Sequence, residues 1–245
     1  MSHDTPNKFL WWLCLLAAPL VLAVIELFHP AGFTHSPGMY QYLSKPEPYS
    51  PEFKALAYFG PGWWFTLHMI QTPLVALVAI GLWILASVAD RGETALAATL
   101  AWLSRGATFV FLVYYTALDS IGGSGLARSI LITQTLGSQG ELTPDQLSGV
   151  VLVLDRLWVD PWVGGVGSFI SLTGSWAAFF AALFAAGALL VAKIIRWPPA
   201  LLLVGFGWEL QMSHTMPHGP IAFVLLAAAA VWIRRTLVTR RSLPR

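Results

Sequence analysis

Long apolar runs separated by short polar links set the pattern of this chain. Residues 9–28, 63–88, 95–118 and 168–195 each hold about twenty or more predominantly apolar positions, the length a helix needs to cross about 30 Å of hydrocarbon. A fifth stretch, 199–233, is interrupted by His-Thr-Met-Pro-His-Gly-Pro at 214–220. Each proline removes a backbone donor and clashes with the preceding turn, so this sequence predicts a broken helical hairpin. The count becomes six membrane-crossing segments. The hairpin arms, 199–213 and 221–233, are only about 22 and 20 Å long at 1.5 Å per residue. Starting from the inner surface, they place the turn below the outer surface, where irregular backbone is tolerated only inside protein or against a cavity. Residues 9–28 exceed the usual signal-peptide core and no small-residue cleavage box follows, so they read as a retained span.

Two longer links remain, 29–62 and 119–167. The first carries Pro30, Pro37, Pro46, Pro48, Pro51 and Pro61, which can order a cap over the bundle mouth without regular structure. In the second, Thr143-Pro144-Asp145-Gln146 has the form of a capping box with proline at the first helical position. Leu147, Val150, Val151, Leu154, Leu157 and Trp158 then recur at helical spacing, predicting an amphipathic helix on the outer surface. The whole is an all-α integral membrane protein, a six-transmembrane-helix bundle forming one transmembrane domain over residues 1–245. Ala177, Ala181 and Ala185, flanked by Ala178, Ala182 and Ala186, provide a small-residue face for close helix packing. Trp63, Trp64, Trp158 and Trp162 fit an outer aromatic belt, and Trp11, Trp12 and Trp197 an inner one.

Composition sharpens the class. Hydrophobic residues make up 56% and charged residues 11% of the chain, and the mean hydropathy is +0.66, far from a soluble domain. The net charge of +2 sits at the ends of apolar runs, where it biases orientation and selects no nucleic acid. Lys8, Arg91, Arg105, Lys193, Arg196 and the arginine-rich tail fall on one side, against Lys45, Lys54, Arg128 and Arg156 in the long links. A cell-membrane (inner-membrane) protein with both termini cytoplasmic follows from the positive-inside rule. Cys14 is the single cysteine, which excludes an intrachain disulfide.

That orientation collects His29, His35, His68, His214 and His218 near the outer face, with Glu26, Asp119 and Glu209 at the same end. Ionisable groups at the mouth of an apolar bundle mark a functional site. Glu26 and His29 are three apart on one helical face, and His68 and Gln71 repeat that spacing. Asp119 precedes a glycine-rich string, Gly122-Gly123-Ser124-Gly125, which suits a helix end or a turn toward a ligand. His214 and His218 bracket the hairpin break, with Glu209 about one turn before. The candidate metal ligands are therefore His29, His68, His214 and His218, for zinc, iron or copper. Glu26, Asp119 and Glu209 are the candidate catalytic carboxylates. His68 with His214 or His218 could instead clamp a haem, which would be non-covalent because no Cys-x-x-Cys-His is present.

An early-span histidine, a later aspartate and His-x-x-x-His near the end resemble the membrane hydrolases of the alkaline ceramidase and adiponectin-receptor kind. His68, Asp119, His214 and His218 carry the resemblance, which implies a zinc on three histidines and amide-bond hydrolysis. The chain departs from it in lacking a seventh span, in the position of its aspartate and in Pro217 between the last two histidines. Three function classes stay open: a metal-dependent enzyme on an apolar or lipid-like substrate, hydrolase or oxidoreductase; a haem electron carrier; and a solute transporter or accessory subunit of a membrane complex. Beyond a substrate or other membrane subunits, the expected partner is the lipid bilayer.

Overall fold

Each apolar run folds as a helix, and two of the helices run on past the sequence boundaries. The computed structural model describes residues 8–29, 60–89, 94–165 and 167–242, and among these it is all-helical. The proline-rich link, His35 and the link around Arg91 lie outside the described residues. Helix α1 is Lys8–Glu26, α2 Pro61–Ala89 and α3 Ala95–Ser138. Then come α4 Pro144–Trp158, α5 Phe169–Val191, α6 Trp197–Met212 and α7 His218–Ser242.

Five of these helices, α1, α2, α3, α5 and α7, are long and apolar enough to cross a membrane. Helix α6, the first arm of the expected hairpin, has 16 residues, about 24 Å of rise, and falls short of that length. The second arm was expected to be equally short but runs for 25 residues, because the basic tail continues the helix. Helix α6 packs between α5 and α7, so it belongs to the bundle despite its length.

The break expected after Asp119 does not occur. Asp119–Gly125 forms a π-helical turn inside α3, and the chain continues as α-helix from Leu126 to Ser138. Glycine is a favoured helix stop, but here Gly123 packs against His68 of α2 and Gly122 faces Trp158 of α4, and the helix continues through both. A second π turn, Leu13–Ala17, lies in α1, where the Ala18 N–H reaches the Leu13 carbonyl. Pro19 explains it: its ring clashes with the carbonyl four residues back and offers no donor, so the preceding turn widens.

Helix α4 forms as its capping box predicts, with Thr143 accepting from the Gln146 N–H and Gln146 Oε1 accepting from the Thr143 N–H. Its Leu154 and Trp158 pack with Trp64, Leu126, Ala127 and Ile130 in a small separate core. The alanine face of α5 is buried in the main core, and Ser104 donates to the Ala181 carbonyl at 2.9 Å, fixing α3 on α5. Helix α5 stops at Lys193 in the left-handed region, φ 54°, while the Ile194 N–H caps the Leu189 carbonyl.

Lys8 and Arg235 line one cavity and Arg196 and Arg240 another, so the start of α1 and the end of α7 share one end of the bundle. His29 follows α1, His68 lies in the first turns of α2 and His214 links α6 to α7, all at the other end. Two assignments to the aromatic belts change. Trp11 is 0% exposed beneath Arg234, whose guanidinium lies 5.5 Å from its ring centroid. Trp64, 4% exposed, is part of the site described next.

Candidate metal centre

His29, His68 and His214 come together from three separate parts of the chain, and each offers a ring nitrogen within 4.8 Å of the others. A tetrahedral ion with metal–nitrogen bonds of about 2.0–2.1 Å needs nitrogens about 3.3 Å apart, so small ring movements complete the cluster. His29 is the hub. Its ring centroid lies 5.3 Å from that of His68, 4.7 Å from that of His214 and 5.0 Å from that of Trp64.

Local sequence explains how each imidazole is held. His68 Nδ1 lies 2.8 Å from the Trp64 carbonyl one turn earlier. A carbonyl only accepts, so Nδ1 carries the proton and Nε2 keeps its lone pair for a ligand. The His68 side chain packs directly on Gly123 of the α3 π turn: a Cβ there would sit 2.2 Å from His68 Cδ2. Trp64 closes the arrangement by donating from Nε1 to the Gly122 carbonyl at 3.1 Å. On the C-terminal side, the Ser213 hydroxyl accepts from the Thr215 N–H at 3.1 Å and shapes the link that bears His214. Gly219 is needed because a Cβ there would meet the His214 carbonyl oxygen at 1.7 Å.

Carboxylates complete the site. Asp119 lines a cavity of about 20 Å³ with His29, His214, Trp64 and Trp158, room for about one water. Glu26 lies one turn before His29, and Glu26, Asp119 and the Tyr115 hydroxyl are within electrostatic range of one another. All three residues and Gln71 are buried. Among the described residues, both Glu26 carboxylate oxygens and Asp119 Oδ2 have no hydrogen-bond partner, while the Tyr115 hydroxyl and the Gln71 amide lie next to each other. Each such atom costs about 1–3 kcal/mol when left unsatisfied, a cost that a polar or cationic ligand could offset.

His218 stands apart from the triad. Its Nδ1 lies 2.7 Å from Glu209 Oε2, a partly exposed pair joining the last turns of α6 to the first of α7. Of the residues singled out from sequence, the structure thus gathers Glu26, His29, His68, Asp119 and His214, and places Glu209 and His218 as a clasp beside them. Tyr115, Trp64 and Gly123 were not singled out as site residues. Tyr115 lies four residues before Asp119 and Gly123 four after, a one-turn spacing that could have drawn attention to both.

His214 lies in the link outside the candidate spans. Burial, with the neighbouring His68 as a lesser cause, pushes its imidazole from the ordinary 6.5 to about 3. It is therefore neutral, and able to ligate, throughout the physiological range. In the unfolded chain it titrates near 6.5, so between pH 6.5 and about 3 the unfolded state holds the extra proton. Stability is fully present above pH 6.5 and falls as the solution is acidified through that window, by up to about 1.4 kcal/mol per pH unit for one proton. Thermal unfolding of metal-stripped protein in detergent at pH 7, 6 and 5 should show this decline, and His214→Gln should reduce its slope. An unchanged slope in that variant would refute the assignment.

An all-helical, apolar bundle with a three-histidine cluster that could bind a metal is the class these features define. Compared with known protein families, curated proteins and solved structures, the chain matches none.

Proposed function

We propose that this chain is a metal-dependent membrane enzyme whose ion is held by His29, His68 and His214 and whose substrate is apolar or lipid-like. The observation that carries this reading is the convergence of three imidazole donors beside two buried carboxylates. A cation at the cluster offsets the cost of burying Glu26 and Asp119 together. Three nitrogen ligands with an open position suit a catalytic zinc, and imidazole also suits iron and copper. Such an ion acidifies a water it binds. Asp119 lines the water-sized cavity next to His29 and His214 and is the residue placed to take a proton there, which favours hydrolysis. Glu26 is the second carboxylate at that level. Haem is disfavoured: His29 fills the space beside both His68 and His214, and a macrocycle needs those rings to part.

Metal analysis of the purified protein tests the reading. About one zinc, iron or copper per chain is expected, and none above background would overturn it.

The proposal includes six crossing segments, α6 among them, with both termini cytoplasmic and the metal centre toward the outer face. The shared location of Lys8 and Arg235 supports an even number of crossings, and the excess of basic residues at that end supports the orientation. In a Cys14→Ala background, Ser242→Cys should stay protected from an impermeant thiol reagent until cells are opened. Labelling in intact cells would reverse the orientation.

A further inference from the structure

At the end of the bundle opposite the histidines, two adjoining cavities run along α7 and differ in chemistry. One, about 820 Å³, is an open groove between α1 and α7 whose walls include Leu16, Leu20, Val224, Ala228 and Val231. The other, about 460 Å³, lies between the α5–α6 link and α7 and is more polar, with Arg196 and Arg240 facing it. Trp232, Thr236 and Arg240 line both, so the two form one continuous amphipathic surface. Among the described residues, no acidic side chain lines either cavity. Trp197 and Trp232 are exposed beside the arginines, the position aromatic rings take at the level of lipid headgroups.

We propose that this surface is a binding site for one anionic phospholipid. An acyl chain lies in the groove against Leu16, Leu20 and Ala228, and the phosphate rests between Arg196 and Arg240. The site is separate from the metal centre and depends only on the bundle lying in a membrane. Charge complementarity selects the occupant: a bare apolar helix from a partner fills the groove but leaves the two arginines without a counter-charge, whereas an anionic lipid supplies both parts in one molecule. Basic pockets between crossing helices bind such headgroups elsewhere by the same physics.

Native mass spectrometry of the delipidated full-length protein, with dioleoyl phosphatidylglycerol or dioleoyl phosphatidylcholine added at equal concentration, tests this. One retained phosphatidylglycerol per chain is expected, favoured over phosphatidylcholine by about thirtyfold, near fivefold for each arginine. Arg196→Gln with Arg240→Gln should abolish the preference, and Arg196→Lys with Arg240→Lys should restore most of it. Ala228→Trp fills the groove while keeping both arginines, and should weaken retention of the lipid without creating binding of inorganic phosphate. Equal retention of the two lipids, or a preference unchanged in the folded glutamine variant, overturns the proposal. So does displacement of the lipid by millimolar inorganic phosphate, which would mark a site for the free anion, or a dimer that forms in place of lipid binding. If the glutamine variant does not fold, retention by Ala228→Trp decides: wild-type retention of phosphatidylglycerol there overturns the site.

Discussion

Alanine at His29, His68 or His214 is expected to strip the metal from the purified protein, lowering affinity by more than about a hundredfold in each case, whereas His218→Ala keeps it. Replacing groups that only support a ligand already costs about ten- to a hundredfold, so deleting one of three ligands costs more. The contrast with His218 is the informative part. Its ring is committed to Glu209 at 2.7 Å and lies outside the triad, so its removal loosens the α6–α7 clasp and leaves all three donors in place. A partly exposed pair of this kind is worth at most about 1 kcal/mol, so His218→Ala should remain folded. The metal-to-protein ratio after exhaustive dialysis separates the cases. Equal loss in His218→Ala and His68→Ala would mean that the ligand set is not the one the geometry selects.

The second large effect comes from a residue with no side chain. Gly123→Ala places a methyl 2.2 Å from His68 Cδ2 and 2.4 Å from Cγ, so the ring must leave its place or α2 must move from α3. Overpacking of this kind costs about 1–3 kcal/mol, and here the strain falls on a ligand. Loss of most of the bound metal and a lower unfolding temperature are expected together. Gly122→Ala is the matched control, because its nearest atom outside the local backbone is Trp158 Cζ3 at 3.5 Å, an ordinary contact. If the two variants keep equal amounts of metal, the close packing of His68 on Gly123 does not position the ligand.

The sequence reveals the helices far better than it reveals how they face one another. Apolar run length gives α1, α2, α3, α5 and the α6–α7 hairpin, and Thr143 with Gln146 marks the start of α4 almost to the residue. It fails at Asp119, where Gly122 and Gly123 read as a helix stop. Gly123 admits His68, a contact with a residue more than fifty positions away, while Gly122 lies against Trp158. Tryptophan misleads in a similar way. Trp11 and Trp64 lie at helix ends where belts form, but position along a helix says nothing about which side turns inward. The histidine set was legible as a group at one end. That His218 is not one of the three follows from its pairing with Glu209, a contact across a turn that no helical periodicity encodes.

The position of His214 also sets an order of construction. A chain emerging from the ribosome presents His29 first, then His68, then the Asp119 turn against which His68 packs. The third imidazole follows only after α5 and α6 have been made, and Gly219, which gives it room, comes later still. A nascent chain shorter than 214 residues therefore holds at most two imidazoles of the triad. The cluster is thus completed late, by a residue that directly precedes α7, so occupancy of the full triad would report that α1 to α6 have been made and brought together.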